Sequence, residues 1–310
     1  MSNSNQVARI NKHGLSRSIP EDIKREVRKR CGFGCVMCGL GIYEYEHFNP
    51  EFKNARTHDV EGITLLCPNH HNKKTKGVLS IETVKRFNDN PKALSQGFAN
   101  ERFDLLTVEP IIFLGGAKFI STPILLQIGN EPVLTITPGE DEPWLLSALL
   151  RGRNGEIVLS IDNNEWKTSS EQWDCRTEGS RIEVRSAPRQ IELVIRQDPP
   201  DKIIIERLLM SHRGYAISAN EGKITITSPN GGELSAPSGV NVINWNIGFL
   251  LEDNGTIILG CEARKGGASI GPAEPGGHLM LTCRDGRIVM GAGSGFPFKS
   301  FLFMCMYNVL

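Results

Sequence analysis

The chain has 310 residues, 39% of them hydrophobic, and 35 Lys and Arg balance 35 Asp and Glu. That length allows two domains, each with its own core. The balance of charge excludes a uniformly basic nucleic-acid-coating protein, and no apolar run reaches the roughly 18 residues a membrane helix needs.

The neutrality is uneven along the chain. Residues 1–90 hold fifteen Lys and Arg against ten Asp and Glu, a net +5, so the remaining 220 carry twenty against twenty-five, a net −5. A basic module joined to an acidic one implies that the first part alone meets a polyanion. Residues 1–17 read as a flexible, mildly basic arm with no apolar segment of the kind that marks secretion. Ser18-Ile19-Pro20-Glu21-Asp22 then signals a helix start, with Pro near the first helical position and acids in the first turn. This helix is expected to run to about Arg30. Ile23 and Val27 share one face, while Lys24, Arg25, Arg28, Lys29 and Arg30 form a cationic surface suited to phosphate contact.

Gly32 and Gly34 permit a tight turn into Cys35-Val36-Met37-Cys38, a metal-binding knuckle. The alternating segment Ile42–Phe48 predicts a short strand. A polar loop with Asn54, Arg56 and His58 follows, and Ile63–Leu66 predicts a second strand leading into Cys67. Pro68 opens a short helix to about Lys76, closed by Gly77. A further amphipathic helix runs from Ser80 to about Asn88, with Ile81, Val84 and Phe87 on one face.

From about residue 100 the texture changes to short β-prone runs separated by Asn, Asp, Gly and Pro. Ile111–Leu114, Ile124–Ile128, Val133–Ile136, Glu156–Ile161, Arg181–Val184, Ile191–Ile195, Lys202–Ile205, Lys223–Thr227, Thr256–Leu259, His278–Cys283 and Arg287–Met290 are the clearest. This pattern predicts an all-β domain, a sandwich first and a solenoid-like stack second. The apolar stretch 296–310 is expected to form a final buried strand. His212, His278 and the single cysteines 175, 261, 283 and 305 read as packing residues, not ligands.

Two pairs of ligands at x2 spacing, Cys35/Cys38 and Cys67/His70, lie 28 residues apart. Three thiolates and an imidazole satisfy tetrahedral Zn2+, and each short spacing lets a pair chelate without strain. A module of this size has a thin core, so a structural zinc is physically expected. Cys31 is an alternative thiol that more readily packs against the knuckle. Clustered thiols of this kind suit a reducing, cytoplasmic setting better than a disulfide framework does. A second, open site is legible beside the zinc. His47 can take a proton from water, Glu46 offers a hard oxygen to Mg2+ or another divalent cation, and His71 projects from the neighbouring helix. Lys73, Lys74 and Lys76 can hold flanking phosphates.

The segment from about Ile19 to Leu79 resembles the HNH endonuclease family. The matching pieces are the basic helix running into Cys31-Gly-Phe-Gly-Cys35-x2-Cys38, the Glu46-His47 pair, and Ile63-Thr-Leu-Leu-Cys67-Pro-x-His70-His71-x-Lys-Lys-Thr. The resemblance implies a ββα-metal fold held by structural zinc, with His47 as general base and Glu46 and His71 as ligands of the catalytic ion. His70 stands where many members have a fourth cysteine. One position departs: the family's middle Asn corresponds to Gly62, and Asn54 or His58, both in the intervening loop, are candidates to take its role.

The expected fold class is therefore α+β, with the arm over 1–17, an HNH domain over 18–98 and an all-β recognition or regulatory domain over 99–310. The expected function is metal-dependent hydrolysis of DNA phosphodiester bonds, compatible with phage defence or a mobile element. DNA as the partner follows from the resemblance alone. The alternative is a zinc-dependent nucleic-acid-binding or interaction protein whose catalysis has lapsed. No membrane partner is expected, a double-strand cut by a single-site enzyme would favour a homo-oligomer, and the β domain's ligand or protein partner is left open.

Overall fold

The first helix, α1 (Glu21–Arg30), forms where the sequence places it, with Glu21 and Asp22 in its first turn and Arg28, Lys29 and Arg30 in its last. The charges oppose the helix dipole at each end, which stabilises a helix of only ten residues. Val27 is fully buried on its inner face. Beyond Cys31 the chain turns at Gly32, whose φ is +69°. A Cβ there would lie 2.9 Å from the backbone nitrogen of Leu94, so a side chain is excluded by both conformation and space.

This computed structural model describes residues 10–220, 222–265, 267–272, 279–284 and 287–292. The strand expected over 296–310 lies outside the described residues, as do residues 1–9. The chain divides into two units, Met1–Glu101 with Lys167–Gly179, and Arg102–Trp166 with Ser180–Leu310.

In the first unit, β1 (Glu44–His47) and β2 (Ile63–Leu66) form an antiparallel pair that sets Glu46 opposite Thr64 and His47 opposite Ile63. Helix α2 (Pro68–Thr75) follows β2 after Cys67 alone, and α3 (Ile81–Asp89) is capped by the Ser80 hydroxyl accepting from the Thr83 amide. A short α4 (Lys92–Gln96) ends at Gly97 in the left-handed conformation. All four residues of β2 are buried. Together with Val27, Val36, Phe48 and Val84 they form a small core into which Cys35 and Cys67 are also built. From Ile10 the N-terminal segment folds back as a turn, bridged between Ile10 and Ser16. The Asn11 side-chain amide donates to the carbonyls of Phe52 and Ala55 at 2.6 and 2.7 Å. The described part of the arm is thus tied to the loop after β1.

The segment Lys167–Gly179 belongs to this unit and rests on α1, which no local pattern in the sequence indicates. Its attachment consumes the cationic face that the sequence assigns to phosphate contact. Arg28 is buried and donates two hydrogen bonds to Asp174, at 2.8 and 2.7 Å, and one each to Tyr45 Oη and Glu21. The Arg25 guanidinium lies 3.9 Å from the Trp173 ring centroid, and Lys29 donates to the Gln172 carbonyl at 2.8 Å. Arg30 donates to the carbonyls of Val60 and Ile63 and to the Asn88 side chain. Four of the five cations thus hold this chain's own groups, and Arg28, buried with four of its five N–H groups bonded, is closed to a phosphate.

The second unit is all β. One of its sheets orders Ile257–Ala263, Trp245–Leu251, Ile124–Ile128, Glu131–Pro138, Trp144–Arg151 and Ile157–Asp162 in space. The other runs Arg181–Ala187, Gln190–Asp198, Lys202–His212, Ile111–Leu114, Ala117–Ile120, Val240–Ile243 and Ala268–Pro272, then two further strands. Neighbouring strands are mostly antiparallel hairpins, while three pairings are parallel and non-local: Lys202–Ile205 with Ile111–Leu114, Asn241–Ile243 with Lys118–Ile120, and Ile247–Leu251 with Ile124–Ile128. Strands such as Tyr215–Asn220 alternate strictly between buried and exposed, as a one-sided sheet requires. No described helix is long and apolar enough to cross a membrane.

Candidate metal centre and the adjoining cleft

The knuckle, the end of β2 and the first turn of α2 bring Cys35, Cys38, Cys67 and His70 together, with one ligand atom of each lying within 4.8 Å of all the others. Tetrahedral zinc with Zn–S of about 2.3 Å and Zn–N of about 2.0–2.1 Å requires ligand atoms about 3.5–3.8 Å apart. The observed edges are 3.8 Å between Cys38 Sγ and Cys67 Sγ, 3.4 Å between Cys35 Sγ and His70 Nδ1, and 3.2 Å between Cys67 Sγ and His70 Nδ1. The donor set and its spacing fit a metal ion such as zinc. A hydrogen bond from Cys38, and further ones from backbone amides, outweigh burial and hold the Cys35 thiol well below its ordinary value. Cys31 is buried and outside the cluster, with its sulfur 3.8 Å from the Thr64 hydroxyl, and burial raises its pKa. Among the described residues this is the one such cluster of His, Cys, Asp and Glu. His212, in the second unit, pairs with Glu131 at 2.9 Å.

The same elements place the second set of residues. Because α2 begins at Pro68, directly after the third zinc-type ligand, His71 and Lys74 fall three apart on the helix face that looks at β1. Glu44 and Glu46 alternate onto the matching face of the strand. His71 Nε2 lies 2.8 Å from Glu46 Oε2, and its Nδ1 lies 3.3 Å from Glu44 Oε2. The two ring nitrogens of His71 thus face two carboxylates, and the hydrogen bond to Glu46 above all raises its pKa. Lys74 Nζ donates to Glu46 Oε1 at 2.7 Å and to Glu51 Oε1 at 3.1 Å. Burial alone would raise the Glu46 pKa, but the bonds from His71 and Lys74 reverse that and lower it.

Glu46, His47 and His71 line one open cleft of about 530 Å3, together with Arg17, Tyr45, Glu51, Phe52 and Lys74. His47 ends β1, is only 8% exposed, and packs its ring against Phe52 and His58. Its Nε2 lies 3.0 Å from His58 Nδ1. Burial first, then the neighbouring His58, lower the His47 pKa to about 4, so the ring is neutral at pH 7. Of the three lysines read as phosphate ligands, Lys73 and Lys76 are exposed. Lys74 instead has its ammonium buried between two carboxylates.

Gly62 occupies a position where no side chain fits. A Cβ there would lie 2.3 Å from the carbonyl oxygen of Asn49, and the Gly62 carbonyl accepts from the amides of Phe48 and Asn49. The residue that reaches His47 is His58. Asn54 instead accepts from Lys12, at 2.8 Å. Glu51 was not singled out in the sequence; its only signal was an acid four residues after the Glu46-His47 pair.

No protein-family model, curated protein or solved structure matches this chain.

Proposed function

We propose that the first unit is a metal-dependent phosphodiesterase module of the HNH kind, acting on DNA. The observation that carries this reading is the convergence of Glu46, His47 and His71 on one cleft beside a cluster that fits zinc. The 2.8 Å separation of Glu46 Oε2 and His71 Nε2 is close to the roughly 3.0 Å between adjacent ligands of an octahedral ion with bonds of about 2.1 Å. When bound, a divalent cation supplies Lewis-acid stabilisation of the charge on the scissile phosphate and leaving oxygen. His47, neutral at pH 7, receives the proton of the attacking water. His58, at 3.0 Å from the other side of that ring, orients it and does for this chain what a side chain at position 62 cannot. Glu46 on β1 and His71 on α2, next to the zinc-type ligand His70, would hold the cation. Arg17 and Lys53, which line the cleft, and the exposed Lys73 and Lys76 offer phosphate contacts, whereas four of the five cations of α1 do not.

A second reading has a specific observation behind it. Gly62 stands in the slot of the family's middle Asn, and its packing against Asn49 leaves that function to another residue. On this reading the module binds nucleic acid in a salt-sensitive manner and cuts nothing. The test is supercoiled plasmid incubated with the full-length protein and Mg2+, Mn2+ or Ni2+, beside His47→Ala. Nicking by the parent and loss of at least about a hundredfold in His47→Ala, the lower range for a general base, support the enzyme. Salt-sensitive binding without nicking under any of these ions supports the lapsed module.

A further inference from the structure

Lys74 sits where a cation belongs. Its side chain is 9% exposed, and its ammonium is held at 2.7 Å by Glu46 and at 3.1 Å by Glu51. The remaining oxygen of Glu46 is taken by His71, so both oxygens of the proposed metal-binding carboxylate are satisfied by this chain's own positive groups. An ammonium on a flexible four-carbon stem is a compact point charge that can withdraw. It sits on α2, one helical turn beyond the zinc-type ligand His70, and the cleft it lines is open to solvent on one side. Both carboxylates that it joins are aimed at one point from two elements, the strand carrying Glu46 and the loop carrying Glu51.

We infer that Lys74 is an internal competitor for the divalent cation: its ammonium closes the site at rest, the entering ion displaces both it and the proton that His71 Nε2 shares with Glu46, which leaves to solvent, and Glu51 joins Glu46 and His71 as a protein ligand. This rests on the reading of the cleft as a divalent-cation site. It gives Lys74 a regulatory part in place of the phosphate contact expected of it, and it makes the resting site proof against weakly binding cations. If Lys74 instead serves only to fasten α2 to β1, its removal weakens the fold and leaves cation affinity alone.

The test is a Mn2+ titration of the full-length protein at pH 7, with free Mn2+ followed by electron paramagnetic resonance and the zinc content and thermal melt of each variant recorded. Lys74→Met removes the charge and keeps the length of the stem. It is expected to tighten Mn2+ binding by about 10–100-fold, the scale on which groups bonded to metal ligands tune affinity. Glu51→Gln in the same background is expected to reverse most of that gain. Mn2+ should also raise the melting temperature of Lys74→Met more than that of the parent, because the two carboxylate oxygens that lost Lys74, Glu46 Oε1 and Glu51 Oε1, regain a cation. Unchanged or weaker Mn2+ binding in Lys74→Met with zinc content intact overturns the inference, and Lys74→Gln provides the same comparison should Lys74→Met not fold. Glu46→Gln separates the two levels. If it abolishes Mn2+ binding while Lys74→Met does not tighten it, only the competitor role falls; if it leaves Mn2+ binding unaltered, the divalent-cation site itself falls.

Discussion

Removing the carboxylate of Asp174 tests whether the segment Lys167–Gly179 is fastened to α1 by the Arg28 guanidinium. Arg28 and Asp174 are both buried, with side chains 1% and 5% exposed, and share two hydrogen bonds of 2.8 and 2.7 Å. Breaking a buried pair by deleting one partner costs about 3–5 kcal/mol, because the remaining charge is left without compensation. Here Glu21 and Tyr45 remain on the same guanidinium, at 2.9 and 2.8 Å, which places Asp174→Ala at the lower end, about 3 kcal/mol. Replacing both partners, as Arg28→Met with Asp174→Leu, leaves no orphaned charge and should cost less than Asp174→Ala alone. The assay is amide hydrogen exchange read by mass spectrometry on peptides covering Glu21–Arg30 and Asp174–Glu178. A loss of about 3 kcal/mol corresponds to exchange more than a hundredfold faster in a segment that opens as a unit. A cost below about 1 kcal/mol for Asp174→Ala, the level of an exposed pair, would refute the reasoning, and so would a double variant less stable than the single one.

Chelation of zinc, or Cys67→Ser, is expected to unfold the first unit. Structural zinc binding contributes about 10–16 kcal/mol, as large as the whole 5–15 kcal/mol by which domains are usually stable, and two of the four cluster residues lie within its core. Stoichiometric zinc in the purified protein and loss of protection across β1, β2 and α2 on chelation are the readouts. The His58→Ala variant should lower nicking by about 10–100-fold, the usual effect of a partner that orients a functional side chain, with Mn2+ affinity unchanged. Gly62→Asn should destabilise the unit, since its Cβ would overlap the Asn49 carbonyl; a melt unchanged within error would contradict this. The pH profile follows from His47. A base held at about pKa 4 is deprotonated throughout pH 5–8, so cleavage through His47 is lost only as pH falls toward 4. A His47-dependent limb near pH 6.5 would show that the ring is not buried as described.

The local elements of the first unit were legible because each carries its own signal. β2 coincides with the expected Ile63–Leu66, and α2 begins at the Pro68 that announces it. The four metal-type ligands were readable because chelation demands fixed spacing, which the sequence displays directly. The role of α1's cations was not readable. Asp174 and Trp173 lie some 146 and 148 residues from the arginines they meet, and no periodicity encodes so distant a partner. The burial of Lys74 was not readable for a similar reason: Lys73, Lys74 and Lys76 look alike in sequence, and only the rotation of α2 against β1 separates the buried one from the exposed two. In the second unit, the strands rich in Ile and Val were found, including Ile111–Leu114, Ile124–Ile128 and Lys223–Thr227. Polar strands such as Glu233–Pro237, and Asp174–Glu178 in the first unit, escaped, because their pairing partners and not their own composition make them strands. The parallel pairings that order the sheets are non-local and could not be foreseen from spacing.

Whether the cleft beside the zinc-type cluster cuts a sugar–phosphate backbone with a divalent ion on Glu46, as proposed, is measured most directly by plasmid cleavage with zinc-loaded full-length protein, with and without added Mn2+, parent against Glu46→Gln, at matched zinc content. The expected result is cleavage by the parent that depends on the added ion and is lost in Glu46→Gln. Cleavage that persists in Glu46→Gln, or no cleavage by the parent with the ion bound, would contradict it.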